Sequence, residues 1–330
     1  MTDTSLENIG SPAPQRFLFT ANGGDFFGIA IKNFFLTIIT LGVYWFWAKV
    51  EITKFLYNNT KFQESSFDYH ATGLEKFIGF LKGIGILLVY GIFIGIVTWI
   101  LTKAVGESTA TTIATILSYL IIFSVLPIII IGAMRFRLSR TSFHGIRFQF
   151  LGEPKEFTIL FLKSVGLTIV TFGFYYPWAI VAISTYIARN CLFGNHAFDL
   201  RVKAEELFFT FIKGFLLSLV TCGIYSFWFR ADLHNFFWNN YYFQNGKTIS
   251  DLKGDTLFIT FLKSVGLMAI TCGIGFAWVI IMNQKVIIES LSFSTNIDFD
   301  SISNIPINPG SATIDSIGGD ALNSFGSIAG

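Results

Sequence analysis

LKSVGLTIVTFGFYYPW at residues 162–178, IKGFLLSLVTCGIYSFW at 212–228 and LKSVGLMAITCGIGFAW at 262–278 are one pattern written three times at a spacing of 50 residues. IKNFFLTIITLGVYWFW at 31–47 is a fourth copy, and a fifth opens at Phe80-Leu81-Lys82-Gly83 and is expanded by an insertion in its middle. Lys32, Lys82, Lys163, Lys213 and Lys263 align, as do Gly42, Gly173, Gly223 and Gly273, and Trp47, Trp178, Trp228 and Trp278. Phe62, Phe143, Phe193, Phe243 and Phe293 share one position after them. A fixed period of this length is the signature of stacked, similar supersecondary units.

Each copy follows one grammar. An acidic residue (Asp25, Glu75, Glu156, Glu206 or Asp255) lies seven or eight positions before the aligned lysine, where it favours a helix N-terminus. An apolar helix follows, then a Thr-x-Gly break, then a second helix that opens with aromatic residues. A short alternating segment closes the unit, such as Ser66-Phe67-Asp68-Tyr69 or Arg147-Phe148-Gln149-Phe150, in the period of a strand. The expected fold is an all-α polytopic membrane protein of five tandem helix-break-helix units with aromatic closing segments. The units run 26–75, 76–155, 156–205, 206–255 and 256–300, after a polar segment 1–25 and before a flexible tail 301–330.

Composition agrees. Of 330 residues, 52% are hydrophobic and 13% charged, about half the charged share of a soluble domain. With 39 Phe and a mean hydropathy of +0.60, the chain is excluded from the disordered class as well. The net charge of +2 gives no reason to expect a nucleic-acid partner. The first 25 residues lack the apolar core of a cleaved secretory signal. Cys191, Cys222 and Cys272 have neither metal-type spacing nor the even number of a disulfide framework.

Charge placement weighs the topology. If every unit is a hairpin turning at its Thr-x-Gly, all Lys and Arg except Lys103 fall on one side of the membrane, 22 of 23. Single crossings would scatter them over both faces. The positive-inside bias therefore favours hairpins with the closing segments in the cytoplasm. Residues 26–40 make only about 22 Å of helix, short for about 30 Å of hydrocarbon, so short units are expected to be re-entrant or to thin the bilayer.

The run Phe34-Phe35-Leu36-Thr37-Ile38-Ile39-Thr40-Leu41-Gly42-Val43-Tyr44-Trp45-Phe46-Trp47-Ala48-Lys49, followed by Phe55-Leu56-Tyr57-Asn58-Asn59-Thr60, resembles the YjgN-like bacterial inner-membrane proteins. Asn22-Gly23-Gly24-Asp25-Phe26-Phe27-Gly28 and Phe67-Asp68-Tyr69 extend the resemblance. It recurs at Ser142-Phe143-His144-Gly145-Ile146-Arg147-Phe148 and is looser over 157–299. The resemblance implies an inner-membrane location and apolar helix pairs, and no activity.

Few residues suggest chemistry. The five aligned lysines are the leading sites for solute or lipid contact, because an ionisable group in an apolar helix is functional by default. Snorkelling to the interface is the plainer reading, and the preferred one. The Thr-x-Gly breaks could bare backbone groups to a solute, as in transporters, but read first as tight turns. His70, His144, His196 and His234 show no metal-ligand spacing. Asn245-Gly246-Lys247-Thr248 lacks the first glycine of a phosphate loop, having Tyr241 in its place. Gly79 and Gly83, like Gly91 and Gly95, have the spacing of close helix packing. No catalytic constellation, metal or cofactor is expected. The leading expectation is transport of an ion or small solute. The alternative is a membrane-organising protein whose basic, aromatic cytoplasmic face binds anionic lipid headgroups or another membrane protein.

Overall fold

A computed structural model of the chain describes residues 14–304. Two strand pieces, β1 (Gln15–Arg16) and β2 (Leu18–Phe19), come first. Helices α1 (Gly23–Ile39) and α2 (Trp45–Asn58) then lead into strands β3 (Thr60–Phe62) and β4 (Ser65–Tyr69). The same order returns as α3 (Gly73–Val105), α4 (Glu107–Ser139), β5 (Thr141–Phe143) and β6 (Ile146–Phe150). Next come α5 (Pro154–Val170), α6 (Tyr176–Asn190), β7 (Cys191–Phe193) and the pieces β8 (His196–Ala197) and β9 (Asp199–Leu200). Then follow α7 (Ala204–Val220), α8 (Ser226–Trp238), β10 (Tyr241–Phe243) and β11 (Gly246–Ser250). The last described elements are α9 (Gly254–Ile270), α10 (Phe276–Glu289) and β12 (Leu291–Phe293).

The helices form a ring in which each packs mainly on its two neighbours, and α10 closes onto α1. Four of the five pairs turn at the Thr-x-Gly. Leu41 and Gly42 take φ of 50° and 91°, and Phe172–Gly173, Cys222–Gly223 and Cys272–Gly273 repeat this within 2°. The glycine supplies the left-handed step that ends the first helix, its amide reaching back to the Thr37 carbonyl in the first pair at 2.7 Å. The threonine serves both helices. Thr40 Oγ1 donates to the Leu36 carbonyl at 2.7 Å and accepts the Tyr44 amide at 2.9 Å, and Thr171, Thr221 and Thr271 do the same. These turns satisfy their own backbone groups.

The closing segments are strands, as their alternating pattern suggests, and with two sheets the fold is not all-α. Their alternating residues give each strand an inner and an outer face, and two-residue turns with left-handed residues, such as His144–Gly145, join them. The seven-stranded and five-stranded sheets are continuous, because β8 with β9 and β1 with β2 are single strands interrupted at Phe198 and Phe17. The result is a closed antiparallel barrel of ten strands. It closes through the N-terminus, where Gln15 pairs with Phe293 and Leu18 with Lys61. The segment 1–25, expected only to be polar, thus supplies, at residues 15–19, the strand that the last helix pair lacks. Closure leaves no free edge.

Strand β4 returns alongside α2, so α3 begins beside the first turn of α2, not beside its end. Gly73 lies against the Trp47 ring, and Gly254 against Trp228, leaving no room for a Cβ. Helices α3 and α4, of 33 residues each, are long and apolar enough to cross a membrane. The other eight, of 13–17 residues, measure roughly 20–25 Å.

Candidate functional site

The barrel interior is built from two rows of aromatic residues. Phe62, Phe143, Phe193, Phe243 and Phe293 form the first, each at most 4% exposed. Neighbouring ring centroids lie 6.2 Å (Phe62–Phe143), 6.3 Å (Phe143–Phe193), 5.9 Å (Phe193–Phe243) and 6.4 Å (Phe293–Phe62) apart. Phe17, Phe67, Phe148 and Phe198 form the second row, 4.5–4.7 Å from their partners in the first. The equivalent fifth position is Thr248, whose hydroxyl donates to the Trp238 carbonyl. The second row escaped the sequence reading, although its residues recur with the same spacing.

One end of the barrel is covered by the chain beyond β12. Phe299 stacks on His144 at 4.4 Å and packs 5.7 Å from Phe143, and Ile302, 7% exposed, sits on Gly194 and Ile146. The tail expected from residue 301 therefore begins inside a packed cover, and its part from 305 onward lies outside the described residues. Beneath this cover is an apolar cavity of about 390 Å³ that runs between the Phe rows to the ends of the even-numbered helices. Tyr57, Arg137, Trp238 and Ile288 mark that helix end, and Ile297 the covered end. Two open apolar grooves of about 440 and 450 Å³ flank hairpin tips, one between Gly42 and Phe80 and one between Phe34 and Gly273.

Polar side chains around the barrel are used structurally. His70 bonds Ser142 at 2.7 Å and His234 bonds Ser250 at 3.0 Å, in different parts of the ring. Among the described residues, no three His, Cys, Asp or Glu are grouped to hold a metal. Burial pushes the Cys191 thiol and the Tyr69 phenol each up to about 12, so both stay protonated at neutral pH. Asp199 is held below the usual carboxylate range by Arg201 at 2.7 Å and Arg189 at 3.2 Å.

The five aligned lysines stand one on each odd-numbered helix, spread around the ring and not gathered. Lys32 pairs with Glu51 of its own hairpin, and Lys163, Lys213 and Lys263 are exposed. Gly42, Gly173, Gly223 and Gly273 occupy the self-satisfied turns.

This architecture defines a class: a membrane protein of helix pairs arranged around a Phe-filled β-barrel. The chain belongs to the DUF898 family, bacterial proteins of unknown function, whose model matches residues 14–224 and 215–319. It is similar to the inner membrane protein YjgN of Salmonella typhimurium, 29% identical over 160 residues, which cover 47% of this chain and 37% of that protein. YjgN of Escherichia coli K12 is 27% identical over 161 residues with the same coverage. The match thus spans little more than a third of the length of these relatives. They support an inner-membrane location. No solved structure matches significantly.

Proposed function

We propose that the protein is a non-enzymatic, multi-pass inner-membrane protein of five tandem units that holds an apolar chain, such as a lipid acyl chain, in its barrel. The observation carrying this is the axial cavity. Phenylalanines of both rows line it, Ile297 lies at its covered end, and it reaches the ends of the even-numbered helices, with Arg137 and Tyr57, at the other. Its size and lining suit a small apolar ligand. In this reading α3 and α4 cross the bilayer. The four short pairs are re-entrant, because their tips present Leu41 and Phe172, each 94% exposed, and no charged group. The barrel and most Lys and Arg face the cytoplasm.

Transport of an ion or small solute is the second reading, favoured by the ring of helix pairs. An axial route would require the Phe rows and the segment 297–302 to move.

The test is native mass spectrometry of the purified full chain. One apolar or amphiphilic molecule per chain is expected, and Thr248→Phe, which completes the second Phe row, should expel it while leaving the fold intact. Equal retention by the variant would overturn the cavity as the binding place.

A further inference from the structure

Lys76 and Arg137 place a cation where every counterpart is apolar, and Lys49 does so in a column that holds one other cation, Arg230. Lys76 stands where the other copies place Phe26, Phe157, Leu207 and Leu257, all 9% exposed or less. Arg137 stands where they place Leu56, Ile187, Phe237 and Ile287. Lys49 stands where they place Ile130, Ile180, Arg230 and Ile280.

The fold brings the three together where α2, α3 and α4 meet. Lys76 is 8% exposed, and its Nζ lies over the Tyr69 ring, 5.7 Å from the centroid. The Tyr69 ring is 5.4 Å from that of Tyr57, whose hydroxyl accepts from Arg137 Nε at 3.3 Å. Lys49 Nζ lies over the Trp45 ring of its own helix, 5.1 Å from the centroid, and the charges of Lys49 and Arg137 both act on Lys76. Among the described residues, none of the three has a carboxylate partner. Glu75, next in sequence to Lys76, is already engaged by Arg140 at 2.8 Å and by the Thr72 amide at 3.0 Å.

The Lys76 side chain is nine-tenths buried with two further cations nearby, and keeping it charged there is costly unless an anion compensates it. Nothing in the packing demands it, since the same core position is filled elsewhere by Phe or Leu. We infer that Lys76, Lys49 and Arg137 form a binding site for a phosphate group, held at the junction of the first two helix pairs. Guanidinium and ammonium groups converging on one place are the usual phosphate receptors. Arg137 and Tyr57 also border the axial cavity. The site therefore deepens the proposed function by naming the headgroup chemistry, and it rests on that reading only for a lipid source of the phosphate.

The test follows thermal unfolding of the full chain in neutral detergent, with phosphatidylglycerol, with diacylglycerol of the same chains, or with millimolar inorganic phosphate. A ligand that binds only the folded state raises the melting temperature. Phosphatidylglycerol is expected to raise it by several degrees beyond any rise that diacylglycerol gives by filling the cavity, with that excess shrinking at high salt. A rise with inorganic phosphate as well assigns the site to a free anion, and a rise with the lipid alone assigns it to a headgroup. Lys76→Leu should abolish the excess over diacylglycerol while making the unliganded protein more stable, and Lys76→Arg should keep it. Arg137→Ile provides a second loss variant. The inference is overturned if neither phosphate source shifts the transition beyond diacylglycerol, or if that excess survives both Lys76→Leu and Arg137→Ile. Retention in Thr248→Phe separates the two proposals: a filled cavity that still responds to inorganic phosphate leaves this site standing alone.

Discussion

Gln15 lies opposite Phe293 in an antiparallel ladder, so the two ends of the described chain are neighbours in one barrel. The adjoining Phe19, 3% exposed, packs with Phe26 of the first helix and with Ala277 and Ile281 of the last. Phe19→Ser should therefore lower stability by about 3–5 kcal/mol through the lost burial and the cavity left behind. Leu18→Ser, at a position 56% exposed, should stay within about 0.5 kcal/mol. Denaturation in detergent measures both, and equal losses would show that the N-terminal strand does not close the ring.

Two glycines of one hairpin should respond differently. Gly223 has φ +90° and open space around it, so Gly223→Ala should lose about 1–2 kcal/mol and Gly223→Asn less. At Gly214 the obstacle is the Phe229 ring, which lies where a Cβ would stand. There Ala should lose about 1–3 kcal/mol and Asn more, because the constraint is space and not backbone angle.

The native cysteines report topology. Cys222 and Cys272 lie at hairpin tips flanked by Val220 and Ile270, which are 79% and 85% exposed. In intact membranes both should resist a charged maleimide applied to either face and react with an apolar one. Labelling of either by the charged reagent from the periplasm would mean that the tip emerges there. Cys191, a half-buried thiol pushed up to about 12 by burial, should stay unlabelled at neutral pH in the folded protein.

Asn33 is 2% exposed, and neither atom of its amide has a partner. At the equivalent position, Ser264 donates to the Thr260 carbonyl at 2.7 Å. Asn33→Ser should raise stability by about 1–2 kcal/mol by removing the unsatisfied amide. A decrease in the unfolding midpoint would show that Asn33 has a partner in the membrane.

Much of this architecture is legible in residue order. Helix positions follow from the acid at each start and the Thr-x-Gly at each end, because capping and left-handed turns are local chemistry. The shared Phe position is likewise visible, and so is the membrane class. The aligned lysines, by contrast, attract notice in sequence because they recur, yet recurrence spreads them around the ring. Residues that depart from the pattern converge instead. Lys76 and Arg137 are each visible as the one cation in an apolar column and Lys49 as one of two, with Arg230, but their proximity is not, since they belong to three helices.

Local order, through apolar period, caps and turns, was enough to set the helix pairs and that the chain enters a bilayer. Tertiary structure alone decided that the closing segments pair into one barrel, that Gln15 to Phe19 complete it, and that a cavity remains behind Thr248. Those outcomes depend on contacts between residues far apart in the chain. A strand's partner, unlike a helix's hydrogen bonds, is not specified by its own neighbours in sequence.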